Sequence, residues 1–261
     1  MRKVILLLIF VYLCFSARYV SAQNVVTVRV AEFPPVYFKD EEGHWTGLSV
    51  ELAEAIILAA GLKPEWVELP WSRALLQLKQ GNLMYMTNLY NTESRSMFLH
   101  WVGPLRVSKM SLFVQQENKS LDITTLDDFI TVCHEQKKQF GIQRDIKYPD
   151  AFVLRMSDDS EFRNCFEVVP NVSFNIKKTA KNRILGFFES GFEMEYQIRT
   201  DPEFTNLVAH PFVFSSESST LFHGVSKKAV SLELLKKLQD GYVQCIEDGT
   251  IRRIVQKWNI Q

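Results

Sequence analysis

Residues 69–105 read LPWSRALLQLKQGNLMYMTNLYNTESRSMFLHWVGPL, a helix, a strand and a polar turn in succession. Ala74, Leu75 and Leu78 recur at helical spacing, while Arg73, Gln77 and Lys79 fall on other faces. Ser72 is placed to cap the start of this helix and Gly81 to end it. Residues 83–89 follow as a short buried strand. Asn91-Thr92-Glu93-Ser94-Arg95 then opens a second helix, capped by Thr92, with Arg95 in its first turn. In α/β sheets, ligands bind where the carboxyl end of a strand feeds a helix start. Backbone N–H groups there favour anions, and an arginine fork adds two parallel bonds to a carboxylate. On spacing alone Arg95 is either such an anchor or one more solvated surface charge.

Working outward, the alternation continues in both directions. Residues 25–30 form a β-branched strand, broken by Phe33-Pro34-Pro35, and 36–38 resume an extended path before the turn at 40–43. Residues 47–60 carry Leu48, Leu52, Ile56 and Ala59 on one helical stripe, stopped by Gly61 and Pro64, and 66–69 make the next strand. Strands alternating with helices at this spacing imply βαβ units and a parallel-dominated sheet, an α/β class. Beyond it, 111–114 is a strand and 115–120 a polar linker. The second half alternates less cleanly. Thr124 or Thr125 starts a helix through Phe129, 140–143 is extended, 158–166 is a helix capped by Ser157, 183–188 a strand and 190–198 a helix. Residues 207–213 and 221–226 are extended, and 231–246 and 250–258 are helices, although Gly241 weakens the first of these.

Composition narrows the function. Of the 261 residues 46% are hydrophobic and 23% charged, the balance of a soluble globular protein. Lys and Arg together number 30, as do Asp and Glu, so no basic excess argues for a nucleic-acid partner. The chain has no Gly-x-Ser-x-Gly, no phosphate-cradling Gly loop and no His-Glu-x-x-His, and its five histidines are scattered. No enzyme activity, cofactor or metal is therefore expected. Residues 1–22 read as a cleaved export signal, with Arg2 and Lys3 before an apolar run too short to span a bilayer and small residues at 20–22. Leu13 before Cys14 is too large for a lipoprotein site. Cleavage leaves Cys133, Cys165 and Cys245, of which Cys133 and Cys165 share one half of the chain; they are either a disulfide or small core residues.

Gly81, a strand, Thr92-Glu93-Ser94-Arg95 and Trp101-Val102-Gly103-Pro104 together resemble the extracellular solute-binding protein family 3, the periplasmic receptors for polar amino acids and related small solutes. The resemblance extends upstream through Ala31-Glu32-Phe33-Pro34-Pro35-Val36-Tyr37-Phe38 and 43–61. It resumes at 223–228 and in Glu247-Asp248-Gly249-Thr250 with Lys257-Trp258, and is weak between about 120 and 215. It implies a two-lobed, type II periplasmic-binding-protein-like fold, each lobe a mixed sheet flanked by helices. Lobe one would comprise 23–113 and 221–261 and lobe two 114–220, with crossing strands near 112–116 and 214–222 forming a hinge. A monomer in the periplasm, binding a small molecule and serving an ABC permease, is the implied role.

The same resemblance implies a ligand-binding set. Phe33 and Trp71 match residues that sandwich the ligand, Asn88 and Tyr90 match the strand end, and Arg95 matches the carboxylate anchor. Arg73, two residues after Trp71, is either a second cation at the cleft or part of a solvated helix face. Tyr90 departs from the usual Ser or Thr. In lobe two the acid that pairs with a ligand ammonium aligns with Ser190, beside Glu189, and the Gly-rich turn is replaced by Arg144-Asp145-Ile146-Lys147. Either Glu189 supplies the missing charge, or the ligand is not a standard α-amino acid; the second branch is the expectation. A sensory module without a transporter, and a small periplasmic lyase such as cyclohexadienyl dehydratase on the same fold, are the rival classes.

Overall fold

The computed structural model describes residues 24–214 and 219–258; the expected export signal lies outside them. The first half of the chain runs β1 (Val25–Val30), β2 (Phe38–Lys39), β3 (Trp45–Thr46), α1 (Leu48–Ala59), β4 (Lys63–Glu68), α2 (Trp71–Gln80), β5 (Tyr85–Tyr90), α3 (Glu93–Ser96) and β6 (Leu99–Ser108). β2 and β3 form a small antiparallel ribbon. β1 lies between β4 and β5, parallel to both, so Val26, Val28 and Val30 are fully buried. Leu48, Leu52 and Ile56 of α1 bury the predicted stripe against them. Gly81 ends α2 in the left-handed conformation at φ 88°, as the sequence implied. The start of α2 differs: Pro70, not Ser72, is the N-cap, and the Ser72 hydroxyl is buried without a partner. Thr92 does cap α3, its Oγ1 accepting the Arg95 N–H at 3.3 Å.

The second sheet is built from β7 (Met110–Gln115), β8 (Phe140–Gln143), β9 (Phe166–Val169), β10 (Gly186–Ser190) and β11 (Leu207–Ala209), in the order β11-β7-β10-β8-β9. Its helices are α4 (Asp128–Gln136), α5 (Asp150–Asp158), α6 (Ser160–Asn164), α7 (Val172–Ala180) and α8 (Gly191–Thr200). Phenylalanines fill its core: Phe129 meets Phe140, and Phe162 meets Phe166, at ring-centroid distances of 4.8 Å. The helix expected over 158–166 is split. Asp159 breaks it and caps α6, accepting the N–H groups of Glu161 at 2.9 Å and Phe162 at 3.1 Å. α5, β9 and α7 had no counterpart in the sequence reading; Asn171 caps α7 by accepting from the Ser173 N–H.

The chain returns through β12 (Ser219–Ser226) to α9 (Leu232–Glu247) and α10 (Thr250–Lys257). β12 inserts between β5 and β6, antiparallel to both, giving the first sheet the order β4-β1-β5-β12-β6. The sheets change at Lys109. β7 pairs with β10 and β11, so the first crossing precedes the boundary expected at 113; the second falls between β11 and β12. Gly241 is explained by packing. A Cβ there would lie 2.5 Å from the Ile56 carbonyl, so α9 can cross α1 this closely only without a side chain.

Candidate functional site

A cavity of about 110 Å³ lies between the two sheets, room for several waters or a compact solute. Lobe one supplies Phe33, Tyr37, Trp71, Asn88 and Tyr90; lobe two supplies Gln143, Lys147, Glu189 and Ser190. The carboxyl ends of β1 and β5 and the end of β10 deliver most of these groups, the positions at which α/β sheets present ligand contacts.

Local chain chemistry aims the lobe-one wall. Between the pairs Met86–Gly224 and Leu89–Phe222, β5 has two residues, Thr87 and Asn88, opposite the single His223 of β12. This bulge puts Asn88 at φ 63°, a conformation asparagine tolerates, and turns its amide out of the ladder. The Asn88 Oδ1 accepts from Arg106 Nη2 at 3.1 Å. The Tyr37 hydroxyl is held by Thr87 Oγ1. Phe33 packs against hydrophobic residues of both lobes.

The lobes are joined by polar contacts beside the cavity. Asp145 sits at φ 63° in the turn after β8, and its carbonyl accepts from Trp71 Nε1 at 3.0 Å and Arg95 Nη2 at 2.9 Å. Arg95 Nη1 donates to the Tyr90 carbonyl at 3.1 Å. Burial brings Arg95 down to about 10, so it stays charged at neutral pH. Arg106 pairs with Glu193 of α8, the two side chains 4% and 3% exposed, and its guanidinium lies 5.5 Å from the Phe192 ring centre. Gln197 Nε2 donates to the Pro34 carbonyl at 3.3 Å.

On the lobe-two wall, Glu189 keeps some accessible surface where it lines the cavity, and its Oε1 accepts the Ser190 N–H at 2.7 Å. Desolvation, with repulsion from Glu193, pushes its carboxyl up to about 8; the Ser190 bond and Arg106 oppose this. One oxygen of Glu193 is buried with no hydrogen-bond partner.

Phe33, Trp71, Asn88, Tyr90, Glu189 and Ser190 therefore converge on one cavity. Arg95 adjoins it but spends its fork on two backbone carbonyls, and Arg73 is exposed on the outer face of α2, away from the cleft. Two arginines went unread. Arg29 in β1 is 6% exposed and lines the cavity; Arg106 in β6 bridges the lobes. A charged residue inside an otherwise β-branched strand was the signal for Arg29. Cys133 and Cys165 are buried free thiols; burial and the Cys133 thiol raise Cys165 to about 12. Among the described residues no three His, Cys, Asp or Glu side chains gather as a metal site.

Residues 17–261 match the family of bacterial extracellular solute-binding proteins, family 3. No curated protein matches the chain. Among solved structures, an ancestral arginine-binding protein bound to arginine is 22% identical, with a TM-score of 0.74 over 91% of this chain and 99% of that one. A histidine kinase sensor domain with similarity to periplasmic binding proteins is 20% identical, with a TM-score of 0.73 over 91% of this chain and 96% of that one. An amino-acid ABC transporter substrate-binding protein from Streptococcus pneumoniae, bound to L-arginine, is 15% identical, with a TM-score of 0.74 over 92% and 97%. At these identities the likeness establishes a shared two-lobed α/β fold.

Proposed function

Since the chain belongs to the bacterial extracellular solute-binding proteins, family 3, we propose that it captures a small carboxylate-bearing solute between its lobes, as a monomer in the periplasm, and delivers it to an ABC permease. The solute class comprises amino acids, their derivatives and organic acids. The observation that carries this is a cavity walled by aromatic rings of lobe one and by ionisable groups of both lobes, with Arg29 on one side and Glu189 on the other. The presence of Glu189 in the wall favours a ligand with an amino group over the alternative set out from the sequence, because its carboxylate form would pair with a buried ammonium. Among the described residues no helix is long and apolar enough to cross a membrane.

Thermal-shift screening of the purified protein against amino acids, organic acids and amines tests the proposal. Ligand at about a hundred times its dissociation constant adds roughly 2.7 kcal/mol of stability. Silence across the panel would refute solute capture and leave a sensory or partner-binding module, the role named for the kinase sensor domain of the same fold. A lyase reading would stand on Glu189 alone, since a carboxyl at about 8 is protonated at neutral pH and can serve as a general acid. Turnover of a bound compound would reveal it.

A further inference from the structure

We propose that Arg29, rather than Arg95, holds the anionic group of the solute, while Glu189 faces its cationic end, so that the cavity selects a zwitterion. This rests on the reading of the interlobe cavity as the solute site.

The two arginines differ in what their guanidinium groups already do. Arg95 donates from both terminal nitrogens to carbonyls, Tyr90 in its own lobe and Asp145 in the other. It is a closure contact, and a carboxylate could reach it only by displacing one of those bonds. Arg29 donates through Nε to the Leu69 carbonyl at 3.0 Å and has the Tyr37 hydroxyl beside it, but no carbonyl takes its terminal nitrogens as two take those of Arg95. The Arg29 guanidinium carbon lies 5.1 Å from the Tyr37 ring centre and 5.6 Å from that of Trp71, which fixes its plane beside the cavity. Among the described residues no carboxylate lies within ion-pair distance of Arg29, although the side chain is buried. A buried cation without a counter-charge is costly, and an anionic solute group in the cavity would offset that cost. Its terminal nitrogens form a fork suited to a planar carboxylate.

The opposite wall carries the complementary acid, which a bound cation would hold in its carboxylate form. Of the lobe-two acids, Glu193 is committed to Arg106, which leaves Glu189 to meet a positive group; Glu32, which also lines the cavity, is exposed and belongs to lobe one with Arg29. Lys147 also lines the cavity from lobe two, half-buried, but an ammonium lacks the fork and the ring contacts that pin Arg29. Cation in lobe one and acid in lobe two place the two ends of a zwitterion across the closing interface. Neither lobe alone would recognise both.

The test is calorimetric titration of wild type, Arg29→Gln and Arg95→Gln with the twenty L-amino acids, followed by the decarboxylated amine and the deaminated acid of each amino acid that binds. Wild type should prefer the amino acid over both analogues. Arg29→Gln should lose on the order of 100-fold in affinity for it and bind it no better than the amine. Arg95→Gln should keep the preference for the carboxylate even where closure is weakened. A wild-type protein that binds none of the amino acids overturns this inference, and solute capture falls with it only when the organic acids and amines of the thermal-shift panel are silent too. If Arg29→Gln still favours the amino acid over its amine as wild type does, the Arg29 assignment fails while solute capture stands. Should Arg29→Gln not fold, a crystal structure of wild type with the bound amino acid decides: its carboxylate oxygens should lie about 3 Å from the Arg29 terminal nitrogens, and a carboxylate on Arg95 refutes the inference.

Discussion

Glu189→Gln should make the protein more stable near neutral pH and leave it unchanged in mild acid. In the unfolded chain a glutamate titrates near its ordinary 4.5, whereas in the folded protein desolvation raises Glu189 to about 8. The folded state therefore binds more protons between these values, and each pH unit in that window removes about 1.4 kcal/mol of stability. Stability from this group is fully present below pH 4.5, lost progressively as the pH rises towards 8, and constant above that. At pH 7 the loss amounts to about 3 kcal/mol at full desolvation. Because Glu189 lines a cavity, about 1–3 kcal/mol is the expected range. Glutamine keeps an oxygen for the Ser190 N–H, carries no charge and escapes the repulsion from Glu193. For a protein of this size the gain corresponds to a melting temperature higher by about 2–12 °C at pH 7. Urea or thermal unfolding of both proteins from pH 4 to 8.5 measures it. A difference that does not change between pH 5 and 8, or a variant less stable at pH 7, would refute the reasoning.

The Arg106–Glu193 pair is buried on both sides, so Arg106→Gln or Glu193→Gln should cost about 3–5 kcal/mol; because the pair spans the lobes, small-angle scattering should also show an enlarged radius of gyration. Folded, reduced protein should resist alkylation at Cys133 and Cys165 at pH 8, since both are buried and Cys165 is raised to about 12, and label only after denaturation. Protein recovered from the periplasm should begin at Gln23 or within a residue or two of it; a retained leader or a lipid mass at Cys14 would contradict cleavage.

Lobe one was legible because its elements follow simple periods. Val26, Val28 and Val30 alternate in a β-branched run, and Leu48, Leu52 and Ile56 mark one helical stripe. Lobe two was not, because its helices are short and its core is phenylalanine scattered through polar sequence, as in Asp150–Asp158 and Ser160–Asn164. Of the cavity, Phe33, Trp71, Asn88, Tyr90, Glu189 and Ser190 could be named in advance from resemblance. What escaped were relations over distance. Arg106 and Glu193 lie 87 positions apart, and nothing local marks them as partners. Asp145 engages Arg95 through its carbonyl, which no side-chain pattern encodes.

The position of β12 dictates an order of assembly. The second sheet and its phenylalanine core come from one uninterrupted stretch, β7 to β11, so that lobe can complete itself as soon as it has left whatever pore or ribosome delivers it. The first sheet cannot. β5 and β6 have no ladder between them until β12 arrives, and α9 and α10, which cover α1, come later still. The lobe that begins the chain is thus the last to close, and until it does its central strands present unpaired edges of the kind that recruit other chains.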